Sequence, residues 1–443
     1  MKTPLLSSFH GIDAEMLMRR YAEQALALQR DPWCDLPTWV RDDPAHCLAG
    51  RKVMVCGSKM PGEMRFLAER CEIVGVVDDF LWRSRADCMG LPVYSTDEWI
   101  DMARADPAMV SIVGVATVVG DDHFGRIVAQ HNLRALRMLD AFRILAEGID
   151  RLSGHGNVFV YGVPFFRHAV QNADEHLRCA RLLDDEFSRF TYFSILNYRL
   201  NADPRFLQRC AVGHNTERPR YNSYLFDRAS IELSDDEVFV DGGAFDGDSV
   251  EQFLRAVNGR FRHVYSFEPS PDTAARCRER ILRLQSQYLP EITSRISVIE
   301  RGLWDKEARL LFNPTQYGPR ETAMAAHSPL AGHVIEAGMT QHLYAPEDEN
   351  PGSFSIHTVA IDEVCDEPVS LLKLEVEGSE LKALEGARQT ITRHRPKMAI
   401  SVYHKPEDLI TLPDFVAQTG HGYRMSLRQH NPYVPDAMVC YCV

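Results

Sequence analysis

The chain has 443 residues, room for two or three domains, and its 45% hydrophobic and 25% charged content lets it bury a sizeable core, which argues against disorder. A formal net charge of −13 excludes the broad basic surface that a phosphate backbone requires, so nucleic acid is not an expected partner. The 11 cysteines show no Cys-x-x-Cys spacing and read as free thiols of a reducing cytoplasm, and no apolar stretch reaches the ~20 residues of a membrane span or the pattern of a signal peptide.

Residues 1–50 predict a helical extension: helix formers with apolar residues at helical spacing run over 14–29, and Asp31-Pro32 ends them. Residues 51–150 predict a small Rossmann-like α/β domain. Apolar runs at 53–57, 73–79, 92–94, 109–116 and 136–139 alternate with helical stretches, one of them capped at Ser95 or Thr96. Such alternation implies a parallel sheet covered on both faces. Gly57 and Gly62 bracket its first turn and Asp78 or Asp79 ends its second strand, a weak nucleotide-fold pattern that suits binding or packing better than independent catalysis. Residues 151–235 predict a mostly helical connector, with a strand at 157–161, helices over 169–207 and a loop at Arg218-Pro219.

Residues 236–443 return to strand–helix alternation. Strands are expected at 238–240, 263–267, 296–299, 371–376 and 397–403, then an antiparallel pair at 423–427 and 438–442. The stretch 313–353, rich in Gly, Pro, His and acids, is too long for an ordinary loop and predicts a lid or an insertion.

The chemistry concentrates at the ends of these strands. The first ends in Asp241-Gly242-Gly243-Ala244-Phe245-Asp246-Gly247-Asp248-Ser249. Its glycines allow a sharp turn and close approach of a ligand, and Ser249 with Gln252 predicts a capping box for the next helix. The loop acids Asp246 and Asp248 would repel a pyrophosphate but suit a ligand carrying a sulfonium and an amino group, which favours S-adenosylmethionine over a dinucleotide. The second strand ends in Glu268-Pro269, and a carboxylate there can accept both hydroxyls of a ribose. The fourth strand carries Lys373, Glu375 and Glu377 on one face by alternation. Charges on a central strand need pairing or a place at its functional edge. Lys373 can neutralise either acid. Glu375 or Glu377 can bind the cofactor, hold a divalent ion if one is used, or act as a base, while Glu380 favours its helix dipole. His404, after the fifth strand, can accept a proton from an attacking hydroxyl.

These residues resemble the FkbM-type methyltransferases. The run 238–249 is similar to that family's glycine-rich motif, Phe267-Glu268-Pro269 to its second-strand motif, and 373–380 to its Lys-x-Asp-x-Glu-Gly-x-Glu signature; Arg395-Pro396 and 401–409 continue the likeness. Residues 182–186 look like the segment that precedes this domain in longer members, and 51–150 look like the nucleotide- or sugar-binding-type domain found ahead of some of them. The resemblance implies a class I Rossmann-like fold, S-adenosylmethionine as methyl donor and a hydroxyl acceptor on a sugar or secondary metabolite. Glu375 departs from the usual Asp, which weakens any base or metal role carried over to it. Two further readings are kept: an inactive scaffold of the same fold that recognises a nucleotide-linked sugar or a partner, and an N-methyltransferase, which needs less help from a base. Acceptor identity, metal dependence and dimer formation are left open.

Overall fold

The structure, a computed structural model, describes residues 13–57, 61–84, 88–115, 117–146, 162–212, 230–284, 290–314, 332–335, 354–419, 422–433 and 435–443. The strand expected at 157–161, the loop at Arg218-Pro219 and most of the 313–353 segment lie outside the described residues.

Five short strands build the first sheet: β1 (Lys52–Cys56), β2 (Glu72–Val77), β3 (Val93–Tyr94), β4 (Val110–Val113) and β5 (Ala135–Arg137). They are all parallel, in the order β3-β2-β1-β4-β5. Alternation along β1 sends Val53 and Val55 into one core with Phe66 and Phe142, and Met54 and Cys56 into another with Trp99 and Phe124. A strand buried on both faces must be apolar throughout, which is why its sequence reads as an unbroken run. The Thr96–Ala105 helix opens with a capping box between Ser95 and Glu98.

The remaining strands are β6 (Val238–Gly242), β7 (His263–Phe267), β8 (Ile296–Ile299), β9 (Gly302–Leu303), β10 (Ala308–Pro314), β11 (Gly332–Ile335), β12 (Phe354–Val359), β13 (Leu371–Leu374), β14 (Lys397–Ser401), β15 (Met425–Gln429) and β16 (Met438–Cys442). Seven of them form a mixed sheet in the order β15-β16-β14-β13-β6-β7-β8. From β8 to β14 the pairs are parallel, and β16 runs antiparallel to both β14 and β15. This is the expected arrangement of parallel strands with a terminal antiparallel pair. A separate sheet, β11-β10-β12-β9, flanks the 313–353 segment and has no counterpart in the sequence expectation.

The Ala14–Arg30 helix is not a free extension. Its Leu17, Tyr21, Ala25 and Leu28 lie on one stripe and share a core with Phe193, Leu196 and Leu200 of the Glu186–Asn201 helix and with Leu372, Leu374, Met398 and Ile400 of the large sheet. Tyr21 Oη donates to the Ala169 carbonyl at 2.6 Å. The connector also covers the edge of β15: Asp184 N–H bonds Met425 O at 2.9 Å and Val212 N–H bonds Gln429 O at 2.8 Å. An edge strand with open backbone groups would otherwise template aggregation. Residues 14–30 and 163–210 therefore belong to the core of the C-terminal sheet, with the five-stranded sheet set between them in sequence. The two parts meet at Asp121, which is buried and ion-paired at 2.8 Å to both Arg205 and Arg137. Among the described residues no helix is long and apolar enough to cross a membrane.

Candidate cofactor and active site

The turn after β6 is built by its glycines. Gly243 has φ +78°, and a Cβ there would stand 1.9 Å from the Glu375 carbonyl oxygen, so β13 passes too close for any side chain. Gly247, at φ +84°, opens the Asp248–Ala256 helix. The capping box expected of Ser249 and Gln252 does not form, because the left-handed Gly247 starts the helix two residues earlier. Ser249 is instead buried in the first turn, and its N–H bonds Asp248 Oδ1 at 2.8 Å. The N–H groups of Gly243 and Ala244 both reach Phe267 O, tying the turn to the end of β7.

Glu268 closes this turn from the neighbouring strand. One carboxylate oxygen accepts Phe245 N–H at 3.1 Å and the other Ser270 N–H at 3.0 Å. Burial dominates these bonds and pushes its carboxyl up to about 7. Pro269 follows it, half-buried. Burial, helped by Asp246, likewise pushes Asp248 up to about 7. The two loop acids are not equivalent: Asp246 is ion-paired to Arg280, which also holds Glu251 at 2.8 Å. The charge argument against a pyrophosphate therefore rests on Asp248.

Lys373 is wholly buried between β13 and β6. Its Nζ lies 3.1 Å from Asp241 Oδ1, donates to Gly243 O at 2.6 Å and stands 3.8 Å from Glu375. Burial works against its charge, but Asp241 and Glu375 outweigh burial and raise its pKa. Lys373 thus clamps the glycine turn to the fourth strand. Asp241 Oδ2 is buried with no hydrogen-bond partner.

Glu375 and Glu377 are half-buried, but they do not share a strand face. The strand ladder ends where Glu375 N–H bonds Gly242 O at 3.1 Å, and Glu377 then turns into the left-handed region at φ +55°. Glu375 accepts a 2.8 Å hydrogen bond from Tyr403 Oη. Glu377 faces His404 Nε2 at 3.7 Å.

The His404 side chain is only 6% exposed, and its Nδ1 stands 2.9 Å from Glu380 Oε1. Burial opposes its charge, but Glu380, Glu377 and Asp408 overcome burial and hold the imidazole up at about 10. His404 is thus engaged by Glu380 and Glu377 at the end of the fifth strand. Glu380 is likewise more than a helix-dipole residue: it is buried, and its Oε1 accepts Val376 N–H at 2.9 Å.

Among the described residues, the five-stranded sheet shows no such convergence of buried charge at the corresponding edge. Asp78 caps the N–H groups of Phe80 and Leu81, and Asp79 accepts both the N–H and the hydroxyl of Thr96, at 2.8 and 2.7 Å. Gly57 packs against Val115, and Gly62 lies inside the Pro61–Ala68 helix.

Residues 241–425, which hold this edge from Asp241 to Asp408, match the family described as the Methyltransferase FkbM domain. The C-terminal part of the chain is an FkbM methyltransferase domain. A crystal structure of Methyltransferase FkbM from Methylobacillus flagellatus KT superposes with a TM-score of 0.74 at 25% identity, covering 97% of this chain and 100% of that one. The likeness therefore takes in the five-stranded sheet and the connector as well as the FkbM domain. The chain is also 26% identical over 166 residues to the 2-O-methyltransferase NoeI of Sinorhizobium fredii (strain NBRC 101917 / NGR234); this covers 36% of the chain and 61% of the relative's length.

Within the FkbM domain the sequence reading missed three residues that shape the site. Tyr403 orients Glu375, Arg280 neutralises Asp246, and Asp408 lies buried beside His404 and Glu380. Only Tyr403 had a local signal, its place at the end of the fifth strand. Arg280 and Asp408 sit on helices whose approach to the site is set by the sheet order.

Proposed function

We propose that this chain transfers a methyl group from S-adenosylmethionine to a hydroxyl oxygen of a small molecule or glycan, a sugar or a secondary metabolite. The observation that carries the reading is the pair of buried carboxylates, Asp241 and Glu268, at adjacent strand ends around a turn that no side chain could enter. The partnerless Asp241 Oδ2 and the exclusion of a Cβ at Gly243 fit a bound cofactor, as does the absence of a cation facing Asp248 at hydrogen-bond distance among the described residues. When bound, the cofactor supplies an electrophilic methyl group on a sulfonium.

In this reading Glu268 accepts the ribose hydroxyls, and the turn from Gly242 through Ala244 to Ser249 forms the floor of the cofactor site. Lys373 pairs with Asp241 and keeps the turn in place. Glu375, oriented by Tyr403, takes the proton from the acceptor hydroxyl, and Glu377, held by His404, orients the acceptor. Most of the rate comes from positioning, since two reactants held in line avoid the entropy of encounter. The O-methyl outcome draws support from the 2-O-methyltransferase relative, whose acceptor does not carry over at this identity.

Isothermal titration of the full chain with S-adenosylhomocysteine is the decisive test. One equivalent bound is expected, and no heat of binding sinks the reading. Methyl transfer from labelled cofactor to a panel of sugars and hydroxylated metabolites then separates a working enzyme from an inactive scaffold of the same fold, and Glu375→Gln separates O- from N-methylation by whether turnover falls.

A further inference from the structure

The cluster beneath the Glu375–Ser379 turn touches the proposed transfer only through His404, which faces Glu377. Glu380, His404 and Asp408 each offer one ligand atom, all within 4.8 Å of one another, and all three side chains are buried. Two of these residues have atoms that stay unsatisfied. Glu380 Oε2 has no hydrogen-bond partner, and His404 Nδ1, though 2.9 Å from Glu380 Oε1, lies off the direction a hydrogen bond needs. The remaining contacts are of the kind that orients metal ligands. Glu380 Oε1 takes Val376 N–H, Asp408 Oδ2 takes Lys405 N–H at 2.6 Å, and the far ring nitrogen of His404 faces Glu377.

We propose that Glu380, His404 and Asp408 bind one divalent first-row transition ion, such as Mn²⁺ or Zn²⁺, through one imidazole nitrogen and two carboxylate oxygens. The ion displaces the imidazolium proton of His404, and the neutral imidazole and two carboxylates then carry two negative charges, which a divalent cation cancels without a third acid. Mixed nitrogen and oxygen donors favour these ions over Mg²⁺ or Ca²⁺, which prefer oxygen alone. The ion sits below the turn and not at the open edge. Its effect is to pin the start of the Glu380–Glu385 helix to the start of the Asp408–Thr419 helix, and so to hold Glu377 at the strand edge.

The test uses the full chain, stripped with a chelator and titrated with Mn²⁺ alone while free Mn²⁺ is counted by electron paramagnetic resonance. One ion per chain is expected, displaced by Zn²⁺, with electron spin echo modulation from a single imidazole nitrogen. Asp408→Asn weakens binding by at least about tenfold, and Glu300→Gln, a surface acid, leaves it unchanged. Saturable binding without nitrogen modulation, or no saturable binding by the unsubstituted chain, overturns the proposal. Those two readings need no variant, so they stand even where Asp408→Asn fails to fold. Undiminished affinity in a folded Asp408→Asn chain overturns it equally.

Discussion

The five-stranded sheet and the parallel part of the larger one repeat a single pattern, β3-β2-β1-β4-β5 in the first and β8-β7-β6-β13-β14 in the second. Each has a central strand followed by a glycine at positive φ, Gly57 in one and Gly243 in the other. What they do with acids differs. In the first, Asp78 and Asp79 are spent on nearby N–H groups and a threonine hydroxyl. In the second, Asp241 and Glu268 are buried at the strand ends and Asp248 is half-buried beside them, the last two with carboxyls pushed up to about 7, around a lysine with no exposure to speak of. Strand order supplies an edge, and the placement of buried charge decides which edge is chemically poised.

The sharpest way to break this contrast is to remove the buried cation. Lys373→Met leaves Asp241 buried beside an apolar side chain, and breaking one partner of a buried pair costs about 3–5 kcal/mol. Urea denaturation followed by circular dichroism should show that loss. A drop of under about 1 kcal/mol would mean the pair behaves like a surface ion pair and the contrast is false. The glycines come next. Gly243→Ala meets the Glu375 carbonyl oxygen at 1.9 Å, a backbone atom that cannot step aside, while Gly57→Ala meets a Val115 methyl at 2.4 Å, which can rotate. Both pay for positive φ, about 1–3 kcal/mol, but only Gly243→Ala should also abolish binding of S-adenosylhomocysteine in a calorimetric titration.

Protonation offers a third, smaller effect with a definite sign. Glu268 titrates near 7 in the folded chain against an ordinary value of 4.5, so between those pH values the folded state holds a proton that the unfolded state has released. Its contribution to stability is full below 4.5 and is lost as pH rises through about 7. Cofactor affinity should move the other way, because the ribose contact needs the carboxylate: it rises with pH up to about 7 and then levels off. Glu268→Gln removes the affinity slope. Affinity that falls across this window would place the ribose elsewhere.

Much of this architecture is legible in the sequence because buried parallel strands are predominantly apolar, as the runs 53–56, 73–77 and 238–240 are. The glycine turn and Glu268 were legible for the same reason, as polar punctuation at strand ends. The strands β9 to β12 were not, since β10 and β12 pair across more than forty residues and carry ordinary mixed sequence. Alternation misplaced Glu377 because it presumes extended backbone, and that ends two residues earlier. The partners of His404 were hidden more deeply. Glu380 and His404 lie on different strand–helix turns, and only the pairing of β13 with β14 brings them together. A histidine met alone at a strand end reads as a base; beside a buried carboxylate it is a cation or a ligand.

The smallest expected effect tests the quiet side of the comparison. Asp79→Ala removes two hydrogen bonds to Thr96, worth about 1 kcal/mol each. Burial of Asp79 is partial, and its bonds to Thr96, with help from His123, overcome that burial and hold its carboxyl below the ordinary range. The variant should therefore lose about 1–2 kcal/mol of stability and become less stable relative to the parent only above the pH where that carboxyl ionises. If the first sheet is a packing or separate binding unit, S-adenosylhomocysteine affinity and turnover should stay unchanged in Asp79→Ala. A fall in cofactor affinity comparable with that of Gly243→Ala would show that the edge of the first sheet, with its acids already paired, nonetheless communicates with the second, and the Asp121–Arg205 pair is one of the contacts between the two parts that could carry that coupling.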